Sequence, residues 1–315
     1  MHCISLKTTD PFFNIATEEY LLKNSYGEWL ILYINHPSIV IGKHQIAHRE
    51  VNTQYVTEHK IPVIRRITGG GTVYHDEGNL NFTFITNTQH NAHAGIHANT
   101  LHIIDFLARH GVSAYFDGNS GLKTGSFKIS GNAEYLYRNR LLHHGTLLFS
   151  ASLETMQNTL RHNPSSYRSK AVISNPSPVT NLNGLLSGIG SIQQLRDKLM
   201  LHLLSTIPCA TRCNALPAHV ANGISTLATS KYTQWEWNYA YGPAYQLTKT
   251  ISHQPAKATC NLTVAEGIIT GITLDGPPAL QQLASRLLKA RHMPCDLQTI
   301  LNATSIAHIS PYSFF

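Results

Sequence analysis

Between two apolar, β-prone stretches, Pro62-Val63-Ile64-Arg65-Arg66 and Asn81-Phe82-Thr83-Phe84-Ile85, the chain places three consecutive glycines, Gly69, Gly70 and Gly71. No other feature restricts the fold as tightly. Residues without a Cβ let the backbone adopt positive φ and come close to a bound group. Successive N–H groups in such a segment can converge on a carboxylate or phosphate, and Arg65 and Arg66 beside them offer forked donors to phosphate. The alternative is a surface hairpin turn, for which Gly-Gly is a common signal; such a turn needs neither the third glycine nor two adjacent arginines. The segment is not a P-loop, because Gly-Lys-Ser/Thr is missing, and it is not a dinucleotide fingerprint.

The surrounding pattern predicts a mixed architecture. Cys3 to Leu6 reads as a strand, and Thr9-Asp10-Pro11 as a helix start, with a cap residue followed by proline at the first helical position. Trp29 to Ile34 and Ser38 to Gly42 are apolar and strand-like. A helix is expected from about Thr100 to His110, with Leu101, Ile104, Phe106 and Leu107 apolar. Strands follow at Phe127 to Ser130 and Gly145 to Phe149. Irregular alternation with hairpin signals argues for an α+β fold on a mixed sheet, not a doubly wound one. The character changes around Trp235-Glu236-Trp237-Asn238. Beyond Gly242-Pro243 come strands at Ala258 to Val264 and Ile268 to Leu274. The chain then reads as one last helix from Pro278 to about Arg291, with Leu280, Leu283, Leu287 and Leu288 on one face. Residues 1–240 are therefore expected to form a catalytic domain and 241–315 a smaller α+β domain.

Two further segments carry chemistry. Lys128-Ile129-Ser130-Gly131-Asn132-Ala133 puts a lysine on a strand expected to end at glycine, with Lys128 and Ser130 on one face. A lysine aimed into a cleft stabilises charge on an acyl oxygen and a phosphate together; taken singly, a solvated lysine is the ordinary reading. His143-His144-Gly145-Thr146-Leu147 begins the next strand, pairing with the lysine strand across Arg138-Asn139-Arg140. Adjacent histidines on a strand face opposite ways, so at most one reaches a common site.

Composition removes other classes. With 42% hydrophobic and 13% charged residues in 315, there is material for a core and none of the charge density of a disordered tail. The formal net charge of +7 favours acidic partners, but no concentrated basic stripe with interleaved aromatics marks a nucleic-acid binder. The 19 histidines are mostly scattered singly, without metal-binding spacing, so no metal site is expected. Five cysteines, an odd and sparse set, fit free thiols in a reducing compartment. No apolar run reaches the ~18 residues of a membrane span, and the start of the chain lacks a signal-peptide layout. A cytoplasmic protein is expected.

Taken together, these segments resemble the lipoate–protein ligase family. Arg65-Arg66-x-Thr68-Gly69-Gly70-Gly71-Thr72-Val73-Tyr74-His75-Asp76-x-Gly78-Asn79-Leu80-Asn81 is similar to its lipoate-binding loop, Lys128-Ile129-Ser130-Gly131-x-Ala133 to its catalytic lysine segment, and His143-His144-Gly145-Thr146-Leu147-Leu148 to its next signature. Smaller matches are Asn14-Ile15-Ala16-x-Glu18-Glu19, Gly42-Lys43-x-Gln45, Pro178-Val179-Thr180-Asn181-Leu182 and Trp235-Glu236-Trp237-Asn238-Tyr239. The resemblance implies a fold like lipoate and biotin ligases. It also implies activation of lipoate by ATP, with Mg2+, to lipoyl-AMP and pyrophosphate, then transfer to a lysine of an acceptor. It assigns Lys128 to the acyl carbonyl and phosphate. Arg66, Thr68, Gly69, Gly70, Gly71, Val73, Asn79 and Ala133 go to the lipoate and adenylate pocket, and His144 lies near the dithiolane. The implied partners are lipoyl domains of 2-oxoacid dehydrogenase complexes or the glycine cleavage H protein, met by a monomer that binds neither nucleic acid nor membrane.

Two segments depart from the family pattern. Gly118-Asn119-Ser120-Gly121-Leu122 stands where the family has Gly-Arg-Asn-Asp-Leu, and Ser174-Asn175-Pro176-Ser177 where it has Ser-Val-Arg-Ser in a loop over the adenylate. Losing a cation and a carboxylate there weighs on ATP handling more than on lipoyl transfer. The sequence thus leaves open a full ligase, a lipoyltransferase taking preformed lipoyl-AMP or relying on a partner for activation, and a non-catalytic relative that binds lipoyl domains. Retention of Lys128 and the glycine loop counts against the last. None of the cysteines lies in these motifs, against a thiolate-based transferase.

Overall fold

A computed structural model of the chain describes residues 1–88, 95–118, 120–160, 166–253, 256–304, 306 and 308–315. Asn119 lies outside them. The centre is an eight-stranded mixed sheet in the order Thr211–Cys213, His2–Ser5, Trp29–Ile34, Asn79–Asn87, Arg140–Leu148, Phe127–Tyr137, Gly121–Thr124, Tyr115–Phe116. The first three strands run parallel and the remaining pairs antiparallel. Trp29–Ile34 is apolar throughout because both its faces are covered. Leu30 and Leu32 pack with Phe106, Leu107, Leu195 and Leu199 from helices Gly95–Arg109 and Ile192–Thr206. Ile31 and Tyr33 pack with Ile15, Leu21 and Leu22 from helix Pro11–Asn24. Asp10 caps that helix, its side chain accepting the Phe12 N–H at 2.9 Å, with Pro11 at the first helical position as the sequence predicts.

A second sheet of three short strands, Val63–Arg65, Ser38–Ile41 and Val73–His75, carries the glycine loop. The sequence predicts a loop bracketed by the strands at Pro62 to Arg66 and Asn81 to Ile85. Val73–His75 interrupts it, too short at three residues to show alternation in sequence. The lysine strand also outruns its expectation: Phe127–Tyr137 passes through Gly131 without ending, because Asn132 to Tyr137 pair with Gly145 to Arg140 across the expected hairpin. Arg138 takes the turn's positive φ of 55°.

A third sheet, all antiparallel, holds Tyr167–Arg168, Tyr245–His253, Ala256–Ala265 and Ile268–Leu274. Two C-terminal expectations need correction. The helix that begins at Pro278 stops at Leu287, and Leu288, extended and 42% exposed, leaves the apolar face to Leu280, Leu283 and Leu287. A further helix, Pro294–Asn302, follows, opened by proline at its first turn. In helix Gly95–Arg109, which starts before Thr100, Leu101 is half exposed and Ile103 takes the buried position instead.

Candidate active site

The glycine loop sits on the small sheet with its arginines turned inward. Arg65 spends its guanidinium on the carbonyls of Gly42, Lys43, Gln45, Trp237 and Asn238. Arg66 gives Nε to Thr68 Oγ1 at 2.8 Å, Nη1 to the Val40 carbonyl at 3.0 Å, and Nη2 to the carbonyls of Gly69 and Gly71 at 2.6 and 2.7 Å. Burial lowers both to about 10, so both remain cations at neutral pH. The expected forked donation to phosphate is therefore not what the arginines do. The Arg66 fork fixes the loop's backbone, and Arg65 ties the small sheet to residues 42–45 and 237–238. Gly70 requires its φ of 84°, and Gly42 requires its missing Cβ, which would overlap the Gly70 carbonyl.

Behind the loop, a hydrogen-bonded chain runs into the core. Glu18, 1% exposed, accepts from Tyr33 Oη at 2.8 Å, Thr83 Oγ1 at 2.5 Å and His144 Nδ1 at 2.8 Å. Burial alone would raise its pKa, but His144 and the two hydroxyls prevail and lower it, so Glu18 is a carboxylate. Because a carboxylate only accepts, His144 donates to it from Nδ1, and its Nε2 is hydrogen-bonded to Thr68 Oγ1 at 2.9 Å. Arg66, Thr68, His144 and Glu18 thus form one connected series. His143 faces the other way, stacked 7° from parallel on Phe84 and bonded to Asn132 Oδ1, as strand alternation predicts.

Two cavities, of about 540 and 430 Å³, adjoin along a shared wall that contains Lys128, Gly131, Thr72, Val73, Thr146 and residues 174–178. The larger runs from Ile15, Tyr33, Val40 and His144 at its deep end to Asp117, Ser120 and Lys123 at its mouth. The smaller is lined by Tyr74, Leu148, Leu153, Met156 and Leu160. Lys128 is half-buried, and burial lowers its pKa against the pull of Asp117. Its backbone is zipped to the strap 171–179: Lys128 N–H donates to the Pro178 carbonyl at 2.8 Å, and Thr180 N–H to the Lys128 carbonyl at 3.1 Å. The strap is tied down at its other end too. Ser174 Oγ accepts from Thr72 N–H at 2.8 Å and from Gln45 Nε2 at 3.0 Å, Glu50 accepts from Ser174 N–H, and Arg49 holds the Ala171 and Val172 carbonyls.

Of the residues singled out from sequence, Arg66, Gly70, Gly71, Val73, Lys128, Ala133 and His144 line the larger cavity. Thr68, Gly69 and Asn79 line neither. Thr68 stands behind His144, and Asn79 is fully buried and bonded to Asn81, which does reach the wall. Sequence reasoning missed Glu18, Tyr33, Asp117, Lys123 and Ser174. Glu18 and Ser174 lay inside recognised segments without a role; the other three carry no local signal. Among the described residues, no group of three or more His, Cys, Asp or Glu side chains could hold a metal ion, and no helix is long and apolar enough to cross a membrane.

The mixed sheet thus offers the half-buried Lys128 in the wall between two lobes of one cleft. Residues 10–204 match the lipoyl protein ligase A/B catalytic domain, and the chain belongs to that family. It is 39% identical over 272 residues to lipoate–protein ligase 1 of Staphylococcus aureus, spanning 85% of this chain and 82% of that one. Among solved structures, lipoate-protein ligase A bound with ATP shares the fold at TM-score 0.64 and 22% identity, covering 75% of this chain and 97% of that one. Plasmodium falciparum LipL1 in complex with lipoate does so at TM-score 0.62 and 22% identity, covering 96% of this chain and 93% of that one.

Proposed function

We propose that the chain is an ATP-dependent lipoate–protein ligase in which the larger lobe takes the lipoyl chain and the smaller takes adenosine. The observation that carries this is the position of Lys128 in the wall the two lobes share. An acyl adenylate has two dissimilar ends joined at a mixed anhydride, and this cleft has two dissimilar ends joined at a lysine. In the first step a lipoate carboxylate oxygen attacks the α-phosphorus of ATP and pyrophosphate leaves. In the second, the acceptor lysine amine attacks the acyl carbon, AMP leaves with the electron pair of the broken C–O bond, and the amine's proton passes to solvent. Charge gathers on the acyl oxygen in that second step, and an ammonium fixed beside it binds the transition state more tightly than the ground state.

The Glu18–His144–Thr68 series backs the deep end of the lipoyl lobe, and Gly70 and Gly71 wall it, held in shape by Arg66. Mg2+ enters as the companion of the triphosphate, which suits a cation that binds mainly through substrate phosphates. The strap's substitutions leave it anchored by Gln45, Arg49 and Glu50, which supports the full ligase over a transfer-only enzyme. Residues 1–240 serve as the catalytic unit and 241–315 as an accessory unit, with Tyr167–Arg168 lent to the smaller unit's sheet. The acceptor is a lipoyl domain of a 2-oxoacid dehydrogenase complex or the glycine cleavage H protein, met in the cytoplasm by a monomer.

Pyrophosphate release from ATP and lipoate, measured beside transfer from synthetic lipoyl-AMP to a lipoyl domain, tests the reading. Both activities are expected. Transfer without pyrophosphate release would leave a transferase, and neither would leave a binding protein.

A further inference from the structure

At the mouth of the larger lobe, the segment that departs from the family pattern is organised around one carboxylate. Asp117 follows the short strand Tyr115–Phe116, and its Oδ1 accepts the N–H groups of Ser120 at 3.1 Å and Gly121 at 2.9 Å. That turn folds the side chain back over Gly121. A Cβ at position 121 would overlap Asp117 Oδ2 and stand 3.2 Å from Lys128 Cε. The carboxylate and the lysine stem therefore border the same small space, and position 121 can carry no side chain while Asp117 lies there. The family pattern puts its carboxylate at the position of Gly121; in this chain one arrives from four residues earlier and fills that place.

We propose that Asp117 is the positioning residue for Lys128, holding its ammonium cationic and directed at the acyl–phosphate junction. The inference rests on Lys128 being the catalytic lysine of the proposed reaction. Burial disfavours the ammonium, and Lys123 on strand Gly121–Thr124 repels it; Asp117 opposes both. No other element facing Lys128 brings a compensating charge within the described residues. The strap residues 172–178 and the glycine loop 69–73 are uncharged, Glu50 across the smaller lobe is engaged by Arg49 and Ser174, and Glu18 is engaged by His144 at the deep end. A lysine that lost its proton here would lose the charge on which transition-state stabilisation depends.

Transfer from preformed lipoyl-AMP to a lipoyl domain, followed across pH with the full chain, reads this without involving ATP. In Asp117→Asn the rate at about pH 9 relative to about pH 7 falls roughly three- to tenfold below the parent's ratio, because Lys128 deprotonates earlier. The double variant Asp117→Ser, Gly121→Asp offers the carboxylate from the other side of the same space and returns the ratio to that of the parent. An unchanged ratio in Asp117→Asn overturns the proposal even if the absolute rate drops, since a purely structural turn would slow the reaction alike at every pH. A folded double variant that keeps the Asn ratio overturns it as well. Lys128→Met separates the two levels. Activity that survives that change sinks the underlying reading, whereas an inert Lys128→Met beside a pH-insensitive Asp117→Asn sinks this inference alone.

Discussion

The deep end and the mouth of the cleft are built by opposite means. At the deep end, Arg66, Thr68, His144, Glu18, Tyr33 and Thr83 satisfy one another inside the core, so geometry is fixed before any ligand arrives. At the mouth, Lys128, Lys123 and Asp117 are half-buried charges whose balance depends on a turn and a strap. The deep end thus couples binding to the stability of the protein. The mouth can change residues, as this chain has done at Asn119 to Gly121 and at Pro176, while the fold persists.

That contrast predicts where damage appears. The largest effect on chemistry comes at the mouth: Lys128→Met lowers transfer by about 10²- to 10³-fold or more, the loss expected for one transition-state donor. Its melting temperature stays within a few degrees of the parent, as calorimetry on the same preparation would check. The largest effect on stability comes at the deep end. Glu18→Gln leaves a buried histidine without its anion and costs about 2–4 kcal/mol, measured by urea unfolding. The sign with pH follows from its lowered pKa. Glu18 contributes stability above the carboxylate range of the unfolded chain and loses it as pH falls through the lower folded value, so the gap between parent and variant narrows in acid. A gap that widens in acid would contradict the assignment.

Arg66→Lys tests whether the loop is held by a fork. A lysine keeps the charge but cannot reach Thr68 Oγ1 and the carbonyls of Val40, Gly69 and Gly71 together. Roughly 2 kcal/mol of stability goes and the KM for lipoate rises, while the KM for ATP moves less. The smallest effect is Ser174→Ala, which removes the acceptor for Thr72 N–H and Gln45 from the strap. About 1 kcal/mol or less is lost, and titration calorimetry shows weaker binding of ATP with lipoate binding unchanged. Equal weakening of both ligands would mean that the strap serves the whole cleft.

Much of this was legible from the chain. The capped helix at Asp10-Pro11, the doubly buried strand Trp29–Ile34, the hairpin across Arg138-Asn139 and the opposite facing of His143 and His144 all follow from local pattern. The family was legible too, through the resemblance carried by the glycine loop and the Lys128 segment. The arginines' partners were not legible, because two guanidiniums beside three glycines present the same sequence whether their forks face a phosphate or buried backbone carbonyls. Ser174 lay in a segment noted for its departures, but its own part was invisible, since the Thr72 N–H it accepts is 102 residues away. Leu288 looked like part of an apolar face because periodicity does not show where a helix unwinds.

What the sequence determined by itself is what depends on neighbours a few residues apart: turn chemistry, capping, alternation, and the residue types an acyl adenylate requires. Tertiary structure alone decided which charges meet. Glu18 and His144 lie 126 positions apart yet are hydrogen-bonded at 2.8 Å, and Asp117 and the stem of Lys128, from different strands, border the same space beside Gly121. Charges interact through space and in proportion to their burial, and neither distance nor burial is written in the order of the residues.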